Sequence, residues 1–376
     1  MMSKEMTNLI YFDYGATTPI DSEVFEAYVK ASKYFFANTS SLHFLGKEAN
    51  QMMSQATNDI LNTLSLSNHD LIYTASATEA NNLAILGYTK GFKTGKIITT
   101  QVEHPSVYQT MQSLEGQFEV CYLDVDETGH IRFDDLKNEL NDDTILVSIM
   151  WVNNIVGSVM DIAGVIGLMK QFPKAKLHVD VVQGLCKIGP LFDLNDIDLF
   201  SFSTHKMYGP KGVGGLFVKK GVILHKIMYG SEVQYGLRPG TIALSLVVAT
   251  AKAIKKFWPQ TIAHEAYVSE LFHEAIISLQ QHPKILINTP LDKRSPYVIN
   301  LSIPSIKGET IVHHLEASHM YVSTGSACSS KLQKPERTVF AMTHDLKRAT
   351  SSIRITLSHL TTHEEMKQLL YILNQL

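Results

Sequence analysis

The most constraining feature of this chain is an alternation, through its middle, of short apolar runs rich in β-branched residues with longer stretches of helical spacing. The runs lie at residues 97–100, 144–151, 176–180, 198–203 and 215–218; short, apolar and β-branched, they read as buried strands. Between them, residues 79–89, 107–114 and 162–171 repeat their apolar positions with the period of a helix. Alternation of strand and helix requires crossover connections, and these make neighbouring strands parallel. The expected fold class is therefore α/β, with a large, mostly parallel sheet. Residues 241–258 carry one long apolar helical pattern, after which the periodicities mix, so a smaller α+β unit is expected from about residue 256 onward.

Composition narrows the partners. A chain of 376 residues, 45% hydrophobic, can bury the cores of about two domains. Its 33 basic and 36 acidic residues leave a formal charge of −3, which provides no field for nucleic acid or an anionic membrane and points to a small-molecule partner. Lys4 and Glu5 stand where a secretory signal would be apolar, and no run of ~18 apolar residues occurs, so a cytoplasmic location is expected. Cys121, Cys186 and Cys328 are far apart and lack CxxC pairing; they suit neither a disulfide framework nor a zinc site, and no metal is expected.

In open α/β sheets, ligands bind beyond the C-terminal ends of the strands. One apolar run ends on Asp180, with Gln183 three residues later; the next ends on Ser203, Thr204, His205 and Lys206. Pyridoxal 5′-phosphate (PLP) chemistry needs an amine that forms a Schiff base, an acid that keeps the pyridine nitrogen protonated, and a phosphate cradle. Lys206 supplies the amine and Asp180 the acid. Ser203 and His205 are candidates for the phosphate, as is the segment 74–82, where Ala75, Ser76, Ala77 and Thr78 open a helix whose first amides are free to bind an anion. Singly, each has a plainer reading: Asp180 as a turn residue, the Ser/Thr cluster as an N-cap, Lys206 as a solvated charge. Residues 209–215 are glycine-rich but lack Walker A and GxGxxG spacing. It is the convergence of complementary roles at strand ends that favours PLP.

These residues lie within an ordered series of motifs: residues 12–19 (FDYGATTP), 38–43, 77–82, Glu103-His104, 152–154, Asp180 with Gln183, 203–212, Arg238 with Gly240-Thr241, 323–329 and 351–354. The series closely resembles the class V, fold-type I PLP enzymes, and among them the cysteine desulfurases of the NifS/IscS kind. The resemblance implies a large, mostly parallel, seven-stranded-type sheet domain over residues 14–255, and a smaller α+β domain over 256–376 with 1–13, carrying Cys328. It implies that Lys206 bears the cofactor, that Asp180 pairs with the pyridine nitrogen, and that His104 stacks on the ring and assists proton transfer. By the same resemblance Asn154 and Gln183 bond the phenolic oxygen, while Ala77, Thr78, Ser203, Thr204 and His205 line the phosphate site. Thr241 would reach the phosphate of a second subunit, implying a homodimer, and Arg354, with Asn154, would hold the substrate carboxylate, a task suited to a guanidinium fork.

Cys328 decides the reaction expected. It sits in the small, polar stretch 323–329, which reads as a loop and not as a core element. Desulfuration needs a thiolate that attacks the sulfur of PLP-bound L-cysteine and carries a persulfide to an acceptor protein. Cys121, in an expected strand, and Cys186, near a turn, read instead as small hydrophobes. The separation of Cys328 from Arg354 resembles the long-loop desulfurases. Ile155, Val181, Ala75-Ser76, the segment 231–234 and Ser358 depart from the family pattern; these departures fall in the shell around the site and leave the named roles in place. Alternatives are another PLP enzyme of this fold, such as a selenocysteine lyase or an aminotransferase, or a weakly active paralogue with a binding role.

Overall fold

The computed structural model describes residues 9–325 and 335–376. Strand β1 (Ile10–Tyr11) precedes helices α1 (Ser22–Tyr34) and α2 (Phe44–Thr63). Then come β2 (His69–Thr74), α3 (Ala77–Thr89), β3 (Lys96–Thr100), α4 (Pro105–Gln112), β4 (Glu119–Leu123), α5 (Phe133–Glu139), β5 (Thr144–Met150), α6 (Ile162–Met169), β6 (Lys176–Asp180), β7 (Leu199–Ser203) and β8 (Gly214–Lys219). Two long helices follow, α7 (Leu244–Phe257) and α8 (Thr261–Gln280). The chain continues through β9 (Leu286–Ile287), β10 (Val298–Ser302), α9 (Gly308–Glu316), β11 (Met320–Tyr321), α10 (Arg337–Thr343), α11 (Leu346–Thr350), β12 (Ser352–Thr356) and α12 (His363–Leu373).

Seven strands form the main sheet in the order β2-β8-β7-β6-β5-β3-β4. Only β8 runs against its neighbours, β2 and β7, so the sheet is mostly parallel as expected. Successive side chains of a strand face opposite layers, and the core divides accordingly. Ile72, Ile97, Leu146, Leu199 and Leu216 pack on one face with Leu83 of α3 and Val107 of α4. Leu71, Ile98, Val147, Phe200 and Phe217 pack on the other with Val24, Ile60 and Val247 of α1, α2 and α7. Two further strands, β2 and β4, lie outside the five apolar runs, β4 being the strand expected around Cys121. The first opens on His69-Asp70, with the His69 ring buried and bonded to the Ile197 carbonyl at 2.8 Å; the second is an edge strand with Glu119 exposed.

A three-stranded sheet, β12-β10-β9, is antiparallel throughout, and β1 pairs in parallel with β11 (Ile10 with Met320, Tyr11 with Tyr321). Helix α7 begins at Leu244 and not at Thr241. Gly240 has φ 105°, a left-handed conformation that breaks the helical path, so Thr241 lies in the connection ahead of the helix. Among the described residues no helix is long and apolar enough to cross a membrane.

Candidate active site

Five parallel strands of the main sheet, β2, β3, β5, β6 and β7, end at one edge, and the polar residues after them meet around a cavity of about 200 Å³. It is lined by Ser76, Ala77 and Thr78 after β2, His104 and Ser106 after β3, Asn154 after β5, Asp180, Val182 and Gln183 at the end of β6, and Ser203, His205 and Lys206 at the end of β7. Gly15, Ala16 and Arg354 complete the wall. Residues far apart in sequence are thus brought together: Lys206 Nζ donates to the carbonyl of Gly15, 191 positions away, at 2.5 Å.

At the floor, the Asp180 carboxylate is buried. Its Oδ2 accepts from Asn81 Nδ2 at 2.9 Å and its Oδ1 from the Val182 amide at 3.0 Å. Burial raises its pKa, while those bonds and Lys206 oppose the rise. Asn81 also donates to Ser106 Oγ at 2.8 Å, and that hydroxyl lies 2.8 Å from His104 Nδ1. Because the Ser106 amide also donates to His104 Nδ1 at 3.1 Å, this nitrogen is an acceptor and the neutral ring carries its hydrogen on Nε2. Burial, reinforced by Lys206, Arg337 and Arg354, lowers the His104 pKa to about 4, so the ring is neutral at physiological pH.

Near the opening of α3, Ser203 Oγ is buried and has no hydrogen-bond partner among the described residues. Ser76 caps the helix, accepting from the Glu79 amide, and the first-turn amides of Ala77 and Thr78 have no intrahelical acceptor. Gly214 of β8, opposite both Thr74 and Ser203, permits this approach: a Cβ there would lie 2.6 Å from the Phe202 carbonyl oxygen and 3.0 Å from the Ala77 nitrogen. His205 Nδ1 lies 3.2 Å from Thr17 Oγ1, and burial followed by the charge of Lys206 holds the His205 pKa at about 4.

Arg354 of β12, which also lines the cavity, is 2% exposed. It donates to the Asn154 carbonyl at 2.9 Å and to Asp13 Oδ1 at 3.0 Å, leaving Nε without a partner among the described residues. Gln183 Nε2 donates to the Gly15 carbonyl at 3.0 Å, and its Oε1 accepts from Lys187 Nζ at 2.6 Å. Burial, then the charges of Lys206 and Arg354, lower the Lys187 pKa to about 7.

The family model for class V aminotransferases matches residues 10–369. The chain belongs to that family. A cysteine desulfurase IscS from Dictyoglomus turgidum is 36% identical over 99% of this chain and 95% of its own length. A solved NifS-like protein superposes with a TM-score of 0.90 at 31% identity, covering 98% of each chain. The structure of SspA in complex with cysteine gives a TM-score of 0.80 at 29% identity, over 94% of this chain and all of that one. The fold is thus that of the NifS-like, fold-type I enzymes of the class V aminotransferase family.

PLP is the cofactor of this family, and the cavity fits it on three observations. The buried Asp180 carboxylate suits a protonated ring nitrogen, which would offset its desolvation. The unpartnered Ser203 hydroxyl and the α3 amides suit a phosphate. Lys206 lines the same cavity, where its amine can meet the cofactor.

Thr204 is not among the residues that line the cavity. Its side chain, in the turn directly after β7, is 0% exposed, with Oγ1 3.1 Å from Thr250 Oγ1. Thr241 is exposed and does not line the cavity. Cys328 lies outside the described residues. Asn81, Ser106 and Lys187 received no role from the residue-by-residue reading. The available signal for Asn81 was a polar side chain one helical turn beyond Thr78, on the same face of the helix.

Proposed function

We propose that this class V aminotransferase-family enzyme is a PLP-dependent cysteine desulfurase, which converts L-cysteine to L-alanine and passes the sulfur through Cys328 to an acceptor protein in the cytoplasm. The observation that carries the reading is the convergence of Lys206, Asp180, the Ser203–Ala77 cradle and Arg354 on one cavity. When bound, PLP supplies an electrophilic carbon for amines and an electron sink for the substrate Cα. Lys206 holds the cofactor and, once released, takes the Cα proton on Nζ and returns it. Asp180, oriented by Asn81 and the Val182 amide, keeps a proton on the ring nitrogen. His104 covers the ring face in its neutral form, with Nε2–H available to move a proton. Arg354, fixed by Asp13 and the Asn154 carbonyl, binds the substrate carboxylate.

The sulfur step belongs to Cys328. Its thiolate attacks the substrate Sγ, an S–S bond forms, the Cβ–S bond breaks, and a proton takes the place of sulfur on Cβ. L-cysteine and the Cys328 thiol thus become L-alanine and a Cys328 persulfide, with no external oxidant. Exposure of Thr241, together with Phe36, Leu42 and Phe44 at 74%, 90% and 71% exposure, supports a homodimer in which Thr241 reaches the partner's phosphate site. The pairing of β1 with β11 and the separate sheet β12-β10-β9 support two units, 14–255 and 256–376 with 1–13.

Mass spectrometry of PLP-loaded protein after incubation with L-cysteine tests the reading. Alanine release and an increase of about 32 Da on Cys328 are expected, both lost in Cys328→Ser. Undiminished turnover in that variant would sink the persulfide step, and absence of a cofactor band in the wild type would sink the PLP assignment.

A further inference from the structure

Arg337, the first residue of α10, reaches from the C-terminal part of the chain to the turn that carries His104, 236 positions away from its first contact there. Its two terminal nitrogens donate to the carbonyls of Gln101 and Glu103, and its guanidinium carbon lies 4.0 Å from the centroid of the Tyr108 ring. These contacts bracket His104, with two carbonyls just before it and a ring one turn after it.

Residues 101–104 belong to neither strand nor helix, so their carbonyls need acceptor-directed partners from elsewhere. A planar fork that stacks on an aromatic face meets two neighbouring carbonyls at once, which an ammonium cannot. From the inside, the same turn is held by the Glu103 carboxylate, whose Oε1 accepts from Thr100 Oγ1 at 2.8 Å and from the Met150 amide at 3.0 Å. His104 Nδ1 is committed to Ser106 within the turn. The Val102 carbonyl accepts from Asn153 Nδ2 at 3.1 Å, so the plane of the His104 ring follows a turn held at Val102 by Asn153 and at Gln101 and Glu103 by Arg337. Arg337 does not itself line the cavity.

We infer that Arg337 is a positioning residue for the reaction, holding the His104 turn so that the imidazole keeps its plane against the cofactor site. The inference rests on the PLP reading above, and a measurement independent of turnover separates the two. Hydrogen exchange over residues 101–108 and over α7 is to be compared in wild type, Arg337→Met, Arg337→Lys and Tyr108→Leu, alongside the visible circular dichroism of bound PLP and kcat and KM for L-cysteine.

In Arg337→Met, exchange over 101–108 rises about tenfold while α7 is unchanged, the visible dichroic band changes, and kcat falls about tenfold with KM within about twofold. Arg337→Lys and Tyr108→Leu, which each keep part of the clamp, fall between. Wild-type exchange and dichroism in Arg337→Met would overturn the inference. So would a uniform rise in exchange with kcat per folded molecule unchanged, the mark of a structural role alone. Should Arg337→Met fail to fold, the two milder variants decide by the same criteria. A wild-type protein without a cofactor band defeats the PLP reading, while the exchange data still decide the clamp.

Discussion

Lys187 shows how far burial, reinforced by neighbouring charges, can set the state of a single residue. Its ammonium is sequestered with the Gln183 amide oxygen at 2.6 Å, and burial, with Lys206 and Arg354, brings its pKa to about 7. The unfolded chain holds that proton up to the ordinary lysine range, so between pH 7 and about 10 it binds more protons than the folded protein. Stability contributed by this group therefore rises with pH across that window and is lost toward pH 7. The melting temperature of wild type should climb more steeply from pH 7 to 9 than that of Lys187→Met, and parallel slopes would refute the assignment. The lysine itself was visible in the sequence, four residues after Gln183. Its partner was not, because the turn after β6 folds back on itself with Cys186 at φ 60°, a conformation that side-chain patterning does not announce.

At the scale of elements, the phosphate cradle depends on how closely β8 approaches the opening of α3. Gly214 faces both Thr74 and Ser203 across the sheet, and a methyl group there would press on the Phe202 carbonyl and the Ala77 nitrogen, both backbone atoms that cannot swing away. Gly214→Ala should lower stability by about 1–3 kcal/mol and weaken PLP binding, as followed by thermal melts and titration of the apoprotein with cofactor; unchanged affinity would show that the approach does not shape the cradle. The helices α3, α4 and α6 and five of the seven main strands were legible in the sequence because burial of one or both faces imposes a periodicity on their residues. The edge strand β4 was legible only as the strand expected around Cys121, and β2 begins on His69 and Asp70, which interrupt an apolar run. The helix expected from Thr241 starts three residues later because backbone conformation at Gly240, and not hydropathy, sets its beginning.

For the whole molecule, the homodimer proposed here makes each site depend on two chains, Lys206 from one and Thr241 from the other. Mixing Lys206→Ala with Thr241→Val subunits should then create heterodimers with one wholly wild-type site and one doubly altered, and cysteine turnover should reappear on mixing two nearly inactive preparations. Absence of complementation in verified heterodimers would place Thr241 in its own chain's chemistry. The sequence by itself determined the α/β class and the membership of Lys206, Asp180, His104, Ser203 and Arg354 in the candidate site, because each carries a chemistry, an amine, an acid, an imidazole, a hydroxyl or a guanidinium, that its position after a strand or in a motif makes legible. Only the tertiary structure decided that Thr204 turns inward to Thr250, that Asn81 ties Asp180 to Ser106 beside His104, and that Arg337 grips the turn before His104. Those are contacts between residues 25 to 236 positions apart, and their partners are chosen by which faces the packed layers bring together, a geometry that no local run of residues encodes.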